Sequence, residues 1–389
     1  MKLEILKFDH FGRGIGKIND KVIFVDKALP GEEVEVKITK EKKNYLEGKI
    51  VRIIKESSRR IKPICPFYNQ CGGCNFLHLE ESLEMEFKID KALELFGKCD
   101  NYYETKDNYR NKCTLHVKNN KVGYYIEKTN EIVPINYCYL LSSNINKVIK
   151  DLSSINFANY NINKIIIKEN NDKLLLNIDG EMDSLIDRFN YVDTIICNNK
   201  IVKGKGYLEE VINNKIFKIT KDAFFQVNRQ GLIIISNILE KILENKKINK
   251  ALDLYSGTSL WGILMSDKVK SITSIEINKE ACQNALWNIK KNNIKNIKVI
   301  NGKVEDYIDS FNNIDLVIID PPRSGLDKKT KMYLAKIFSK YLIYISCDMQ
   351  TLKRDLEELK KIYKIEEINL INMFRRTYHC EVVTLLERK

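Results

Sequence analysis

The fold of this chain is decided by residues 344–352, whose sequence is YISCDMQTL. The run from Tyr341 to Ser346 is rich in β-branched and aromatic residues and is bounded by polar ones, which predicts a short buried strand. From Thr351 onward, leucines recur at helical spacing with charged residues between them, so a helix follows. The pattern therefore predicts that Cys347 joins the carboxyl end of a strand to the amino end of a helix.

This position makes Cys347 a candidate nucleophile. In open α/β sheets, ligands bind at the edge formed by the carboxyl ends of the strands. The unpaired N–H groups and the positive dipole of a helix start would lower the pKa of a thiol there, toward the reactive thiolate. The alternative is a small buried apolar residue, which is the usual role of a lone cysteine.

Other strands of the C-terminal part end in residues that suit a cofactor site. The strand from Lys250 to Tyr255 leads into a loop with a single glycine, Gly257, and then into an apolar helix. The next strand ends at Glu276, and a later one ends at Asp320. A strand, loop, helix, strand and acidic residue in this order is how proteins hold a nucleoside cofactor, with the acid on the ribose hydroxyls.

Length and composition limit the class of protein. The chain has 389 residues, enough for two or three domains with a substantial core. Its 65 lysines and arginines exceed its 52 acidic residues, and the net charge of +13 suits a polyanionic partner, although a solvated basic surface would look the same. Because we find no membrane-spanning run and no signal peptide, we expect a cytoplasmic protein without membrane contact.

Residues 1–56 have the pattern of a small β-barrel, with short strands at Lys21–Val25 and Glu33–Ile38. Between Lys37 and Lys62 there are ten basic residues against three acidic ones, with a tyrosine among them. A basic strand pair with an aromatic residue is typical of barrels that bind single-stranded nucleic acid. The alternative is a charged sheet edge that discourages aggregation.

A cysteine motif follows the barrel. Cys65, Cys71 and Cys74 lie within ten residues, and the two glycines after Cys71 supply the tight turns that a metal site needs. The ten cysteines of a reducing compartment favour metal binding or catalysis over disulfides. Sulfur ligands leave zinc and an iron–sulfur cluster both open, and a redox pair is the alternative. Candidates for a fourth ligand are Cys99, Cys113, Cys138 and Cys197.

The remaining pattern divides the chain into three domains. Residues 57–220 have mixed α and β character, including a helix that stops at Gly97 and a hairpin turn at 118–121. Residues 221–389 have the alternating strands and helices of a doubly wound sheet. The sequence therefore predicts an α/β protein with a Rossmann-like C-terminal domain, a central α+β domain and the barrel of residues 1–56.

Together, these motifs resemble the RNA uracil-5-methyltransferases that use S-adenosylmethionine, and most closely the branch that acts on 23S ribosomal RNA. The resemblance covers nearly the whole chain. The matching segments are residues 12–14, 29–32, 65–78, 225–228, 253–257, 320–326, 346–356 and 379–383.

The resemblance implies an OB-like TRAM barrel at the N terminus, a central RNA-binding domain with a [4Fe–4S] cluster, and a class I methyltransferase domain at the C terminus. The cluster ligands that it implies are Cys65, Cys71, Cys74 and Cys138. The positions that it implies for binding S-adenosylmethionine are Gln226, Tyr255, Glu276 and Asp320.

The sequence departs from the pattern of this family at several positions. Ser256 stands where the family usually has cysteine, and Ser259 where it usually has glycine. Asp348 follows the nucleophile where the family has asparagine, often with a proline after it. Leu77 stands where a glutamine commonly precedes the histidine of the cysteine motif.

The implied reaction needs a thiolate and a base. Uracil C5 is too weak a nucleophile to take a methyl group unaided, and a thiolate that adds to C6 activates it. The resemblance implies that Cys347 is this nucleophile, that Glu381 removes the C5 proton, and that Asp320 or Arg323 holds the base edge. We expect a monomer that binds 23S rRNA rather than tRNA. The alternatives are a tRNA T-loop methyltransferase, a non-catalytic RNA-binding iron–sulfur protein and an iron–sulfur redox or radical enzyme.

Overall fold

The computed structural model of the protein describes residues 1–127, 129–181, 183–337 and 339–389. The chain forms two compact units. The first contains Met1–Gly97, a short segment around Ile126 and the segment Phe374–His379. The second contains most of Lys98–Met373 and the C-terminal residues Cys380–Lys389. No helix in the described ranges is long and apolar enough to cross a membrane.

The first unit contains a six-stranded sheet and one helix. The strands are β1 (Lys2–Glu4), β2 (Lys7–Phe8), β3 (Gly14–Ile18), β4 (Lys21–Asp26), β5 (Glu33–Glu41) and β6 (Tyr45–Lys55), and the helix is α1 (Glu81–Phe96). The sheet order is β1-β5-β6-β4-β3-β2. Alternate residues of the strands, such as Ile23, Val25 and Val34, are buried in its core, so the predicted strands β4 and β5 are confirmed.

Helix α1 ends where the sequence predicts. Gly97 adopts a left-handed conformation with φ of 76°, and its N–H donates to the carbonyl of Leu93 at 2.9 Å. Glycine suits this position because side chains rarely adopt positive φ. On the buried face of the helix, Lys88 Nζ lies 2.6 Å from Glu84 Oε1.

The second unit begins with β7 (Asn101–Tyr103), which joins the large sheet described below, and continues with a seven-stranded sheet. Its other elements up to residue 203 are β8 (Lys112–Lys118), β9 (Lys121–Tyr125), β10 (Ile132–Pro134), α2 (Ser143–Ser153), β11 (Lys164–Asn170), β12 (Lys173–Asp179), β13 (Thr194–Cys197) and β14 (Lys200–Lys203), with 3₁₀ turns at Phe157–Asn159 and Asp183–Phe189. The sheet order is β10-β9-β8-β11-β12-β13-β14. Asn119 and Asn120 both have positive φ in the hairpin turn between β8 and β9, which confirms the predicted turn.

The hairpin β15 (Tyr207–Ile212) and β16 (Lys215–Thr220) precedes the doubly wound part of the chain. That part contains α3 (Arg229–Leu243), β17 (Ile248–Leu254), α4 (Leu260–Met265), β18 (Val269–Glu276), α5 (Lys279–Lys291), β19 (Ile297–Asn301), α6 (Val304–Tyr307), a 3₁₀ turn (Ile308–Ser310), β20 (Ile314–Ile319), α7 (Lys328–Lys336), β21 (Ser339–Ser346), α8 (Met349–Leu359), β22 (Tyr363–Ile371) and β23 (Glu381–Arg388).

The eight-stranded sheet has the order β19-β18-β17-β20-β21-β23-β22-β7. Strands β17 to β21 run parallel, and β23 runs antiparallel to β21 and β22. The chain order reverses between β17 and β20, and this switch point is where open α/β sheets bind ligands. The doubly wound prediction is confirmed. The division into domains at residues 56 and 220 stays a prediction, since the two compact units do not test it.

Candidate active site

Cys347 lies between β21 and α8, at the predicted junction of strand and helix. Asp348 caps the helix, because its carboxylate accepts the backbone N–H of Thr351 at 2.8 Å. The hydroxyl of Ser346 accepts the N–H of Asp348 at 3.2 Å and lies 3.1 Å from its carbonyl oxygen. These bonds hold the thiol at the carboxyl edge of the sheet.

The pKa of the Cys347 thiol is raised to about 11, so the predicted lowering is wrong. Burial is the main cause, and the carboxyl groups of Glu381 and Asp320 raise the pKa further. Arg323 opposes them, because its positive charge and its hydrogen bond to the thiol lower the pKa.

Glu381 is brought beside Cys347 by the register of β21 and β23. Ser346 pairs with Val382 in this antiparallel ladder, so the next position on each strand carries the thiol and the carboxyl group. Glu381 is only 2% exposed, and its pKa is raised well above the usual value by burial and by a neighbouring aspartate, while Arg323 lowers it.

Asp320 and Arg323 complete this group at the end of β20. The indole Nε1 of Trp261 donates a hydrogen bond of 2.9 Å to Asp320 Oδ2. Burial raises the pKa of Asp320 to about 6, and the indole bond works in the opposite direction. Thiol, carboxyl groups and guanidinium thus lie within electrostatic reach of one another. We call Asp320, Arg323, Cys347 and Glu381 the thiol cluster.

The loop after β17 has a fixed shape. Tyr255, Gly257 and Ser259 all have left-handed conformations, with φ of 59°, 54° and 57°. The hydroxyl of Ser259 lies 2.7 Å from that of Ser274, and the carboxylate of Glu276 accepts the N–H of Gly257 at 2.8 Å. The acidic residue at the end of β18 therefore contacts the loop directly.

Polar atoms beneath this loop suit a nucleoside cofactor. Asp253 Oδ2 accepts bonds from the N–H of Gly262 at 3.1 Å and from the Ser274 hydroxyl at 3.2 Å. Burial raises the pKa of Asp253 to about 7. Within the described residues, Asp253 Oδ1 and the hydroxyl of Ser256 are buried without a hydrogen-bond partner. Buried polar atoms of this kind are usually satisfied by a ligand or by water.

The other two predicted cofactor residues differ in their surroundings. The hydroxyl of Tyr255 lies 3.3 Å from Asp327 Oδ2 and 3.3 Å from Thr330 Oγ1. Gln226 is buried in the segment between β16 and α3, where its backbone carbonyl accepts a hydrogen bond of 3.2 Å from Asn111 Nδ2. The cofactor-binding roles of both residues stay predictions.

The predicted metal ligands are divided between the two units. Cys65, Cys71 and Cys74 are partly buried in the first unit, and Cys138 is partly buried in the second. The backbone of Cys138 is held by Asn146, whose side chain accepts its N–H at 2.8 Å and donates to its carbonyl at 3.0 Å. In the ranges that the structure describes, no group of three or more His, Cys, Asp or Glu side chains is arranged to hold a metal ion. The iron–sulfur site stays a prediction.

Two residues that support the site are not predictable from the sequence. Trp261 donates to Asp320, as described above. Lys168, which is 3% exposed, donates to the carbonyls of Thr220 at 2.6 Å and Ala223 at 3.1 Å, and so fixes the segment that leads to Gln226. Burial lowers the pKa of Lys168 to about 7. Neither residue has a local sequence signal, because a tryptophan in an apolar helix and a lysine in a strand are ordinary.

Two family models match this chain. The model described as tRNA (uracil-5-)-methyltransferase matches residues 194–389. The model of the TRAM domain matches residues 1–51.

Similar proteins extend the comparison over the full length. An uncharacterized RNA methyltransferase of Clostridium tetani is 31% identical, over 96% of this chain and 93% of its own. An uncharacterized RNA methyltransferase of Aquifex aeolicus is 31% identical, over 100% of this chain and 99% of its own. The crystal structure of Pyrococcus abyssi tRNA (uracil-54, C5)-methyltransferase in complex with S-adenosyl-L-homocysteine has a TM-score of 0.83 and 23% identity, covering 99% of this chain and 100% of that one.

Proposed function

Because the chain belongs to the tRNA (uracil-5-)-methyltransferase family, we propose that it transfers a methyl group from S-adenosylmethionine to C5 of a uridine in RNA. Its N-terminal sheet is a TRAM domain, and its eight-stranded sheet has the fold of class I methyltransferases. One observation carries the proposal: the thiol of Cys347 and the buried carboxyl group of Glu381 lie side by side at the carboxyl edge of that sheet.

The residues of the thiol cluster have distinct roles in this reaction. The thiolate of Cys347 adds to C6 of the uracil, and the electron pair moves onto C5 and O4 as an enolate. C5 then takes the methyl group of the cofactor, while the bond between that methyl group and the sulfonium sulfur breaks and its electron pair stays on the sulfur, which leaves as a neutral thioether. Glu381 removes the remaining proton from C5, and the returning electron pair expels the thiolate from C6. Arg323 lowers the pKa of the thiol and thus favours its attacking form.

S-adenosylmethionine supplies a methyl group on a positively charged sulfur. Glu276 would hold the ribose hydroxyls, and the loop of Tyr255 to Ser259 would hold the rest of the nucleoside. Asp253 Oδ1 and the hydroxyl of Ser256 offer buried polar atoms beside this loop. We propose Gln226 and Asp320 as further contacts of the cofactor.

We propose 23S rRNA as the substrate and a cytoplasmic location. The net charge of +13 supports a long RNA, which offers many phosphates. A specific observation favours tRNA as the second candidate. The Pyrococcus abyssi enzyme, whose name gives tRNA as its substrate, aligns with nearly the whole of this chain, so the barrel does not distinguish the two substrates.

Mapping 5-methyluridine in cells that lack this protein tests the proposal. We expect one or more uridines of 23S rRNA to lose the methyl group and to regain it when the gene is restored. Restoration with Cys347→Ala should fail. Loss of 5-methyluridine only from the tRNA T-loop would show that the substrate is tRNA and not 23S rRNA. Unchanged 5-methyluridine in all RNA would contradict the proposed methyltransferase function.

We also propose that Cys65, Cys71, Cys74 and Cys138 bind a [4Fe–4S] cluster. The donor set is entirely thiolate, which fits iron–sulfur chemistry, and methyl transfer needs no electron transfer, so the cluster would have a structural role. Protein purified without oxygen should be brown and should contain about four irons per chain. Colourless protein that contains one zinc per chain would contradict the cluster and indicate a zinc site.

A further inference from the structure

A group of aromatic and basic side chains lies on the first unit. The ring of Phe11 lies 5.6 Å from that of His10 and 5.5 Å from that of Tyr378, and Tyr378 lies 4.1 Å from His379. Lys91 Nζ is 5.8 Å from the Tyr378 ring. We call Phe11, His10, Tyr378, His379 and Lys91 the aromatic platform.

Phe11 is presented to solvent by a rigid turn. Its side chain is 49% exposed, which is unusual for phenylalanine. The turn is held by Asp9, whose Oδ1 accepts the N–H groups of Phe11 and Arg13, both at 2.8 Å, and whose Oδ2 accepts Arg13 Nε at 2.7 Å. At Gly12, with φ of 75°, a Cβ atom would lie 2.2 Å from the buried ring of Phe76. The backbone is therefore fixed while the ring remains exposed.

The segment that carries Tyr378 and His379 is also fixed. Arg376 adopts a left-handed conformation with φ of 63°. Its N–H donates to Glu84 Oε1 at 3.0 Å, and its carbonyl accepts the N–H groups of Asn75 at 2.8 Å and Phe76 at 3.0 Å. A non-glycine residue stays in this conformation only where its surroundings impose it. Both segments of the platform are thus preorganised, which reduces the entropy lost when a ligand binds.

We propose that the aromatic platform stacks an unpaired nucleobase of the RNA substrate, close in sequence to the target uridine. Exposed aromatic rings next to cations are how proteins bind single-stranded RNA, since every base offers a flat face and every nucleotide a phosphate. The target base must leave its stack to reach Cys347, so its neighbours lose a stacking partner. One residue separates His379 from Glu381, so the platform and the proposed catalytic base are neighbours along the chain.

This inference rests on the proposed function and is tested with three substitutions of Phe11. Phe11→Trp keeps a flat ring, Phe11→Leu keeps the apolar bulk without a ring, and Phe11→Ala keeps neither. Binding and methylation are measured on transcripts of 23S rRNA and tRNA that lack modifications. We expect Phe11→Leu and Phe11→Ala to raise Kd and KM for the methylated transcript roughly 5- to 100-fold, the range for losing one stacked base. Phe11→Trp should stay near wild type, and kcat at saturating RNA should change little in all three.

Leu6→Ala is the matched control, because Leu6 is 55% exposed in the same unit and lies outside the platform. It should leave Kd and KM unchanged, and thermal melting should verify that every variant is folded. If Phe11→Leu binds RNA as tightly as wild type, the platform has no stacking role and the inference is overturned, while the methyl transfer stands. If wild-type protein methylates neither transcript, the proposed function fails together with the inference.

Discussion

Arg323 works against the influences that keep the Cys347 thiol protonated. Burial and the carboxyl groups of Glu381 and Asp320 raise the thiol pKa, and the guanidinium lowers it through charge and a hydrogen bond. The pKa of the Cys347 thiol is raised to about 11. The fraction present as the reactive thiolate therefore grows as the pH rises from neutral into the alkaline range.

We therefore predict that Arg323→Gln moves the pH dependence of Cys347 alkylation to higher pH. At pH 8 the rate with iodoacetamide, followed by mass spectrometry of the Cys347 peptide, should fall several-fold, because the thiol loses its positive neighbour. The alkylation rate of Arg323→Lys at pH 8 should lie between those of Arg323→Gln and wild type. The peptide of Cys99 serves as internal reference. An unchanged profile in Arg323→Gln would show that the guanidinium does not tune the thiol.

Ser259 shows how a departure from the family pattern is accommodated. Its φ of 57° costs an L-residue roughly 1–2 kcal/mol, whereas glycine adopts it freely. The hydrogen bond of 2.7 Å between its hydroxyl and that of Ser274 stabilises the fold by roughly 1 kcal/mol. We predict that Ser259→Gly leaves Tm nearly unchanged, since relief of strain offsets the lost bond and the greater freedom of the unfolded chain. Ser259→Ala should lower stability by about 1 kcal/mol in thermal melting, and a Tm equal to wild type would contradict this.

At the scale of elements, helix α8 clamps the loop that carries Arg323. The hydroxyl of Thr351 donates to the carbonyl of Arg323 at 3.1 Å, and Arg354 donates to that of Ser324 at 2.9 Å. Asp355, which is fully buried, accepts the N–H of Leu326 at 2.8 Å. The helix that follows the nucleophile thus also fixes the cation beside it.

We predict that Thr351→Val clearly lowers the rate of methyl transfer while it lowers the stability of the fold only slightly. The valine has the same shape and loses one hydrogen bond, which costs about 1 kcal/mol of stability. The released loop should misplace Arg323, so kcat should fall several-fold and its pH profile should move to higher pH. Thr351→Ser keeps the hydroxyl and should resemble wild type. If the valine variant loses stability and keeps kcat, the clamp is only structural.

The elements that the sequence predicts are those with local signals. The strand and helix around Cys347, the helix end at Gly97 and the hairpin at Asn119 follow from spacing and turn chemistry. Strand β7 does not, because Asn101 pairs with Asn369 and no local pattern reveals a partner so distant in the chain. The raised pKa of the Cys347 thiol has no local pattern either, since it depends on burial in the fold and on Glu381 from another strand.

At the scale of the whole molecule, the number of basic residues overstates the basic surface available to RNA. Several basic residues of the stretch between Lys37 and Lys62 form ion pairs, such as Arg60 with the buried Glu32 at 2.5 Å and Arg59 with Glu86 at 2.5 Å. Charge that is already neutralised contributes little to phosphate binding. Lys42 and Lys43, both exposed in the turn between β5 and β6, are better placed for it.

We predict that replacing Lys42 and Lys43 together by glutamine weakens RNA binding. The slope of log Kd against log salt should decrease by roughly 0.7 for each phosphate that the protein no longer neutralises, as expected for single strands. Replacing Lys360 and Lys361 by glutamine removes the same charge from exposed positions at the end of α8 and is the matched control. An equal weakening of RNA binding in both double variants would indicate a general charge effect and no specific role of the turn.

Trapping of a covalent complex tests the central claim, which is that Cys347 attacks the uracil and Glu381 releases the product. Glu381→Gln cannot remove the C5 proton, so methylated RNA should remain attached to the protein through C6. We expect a band of protein joined to RNA on a denaturing gel, dependent on S-adenosylmethionine and absent when Cys347→Ala is added. Glu381→Gln protein that turns over at the wild-type rate without this band would contradict the account.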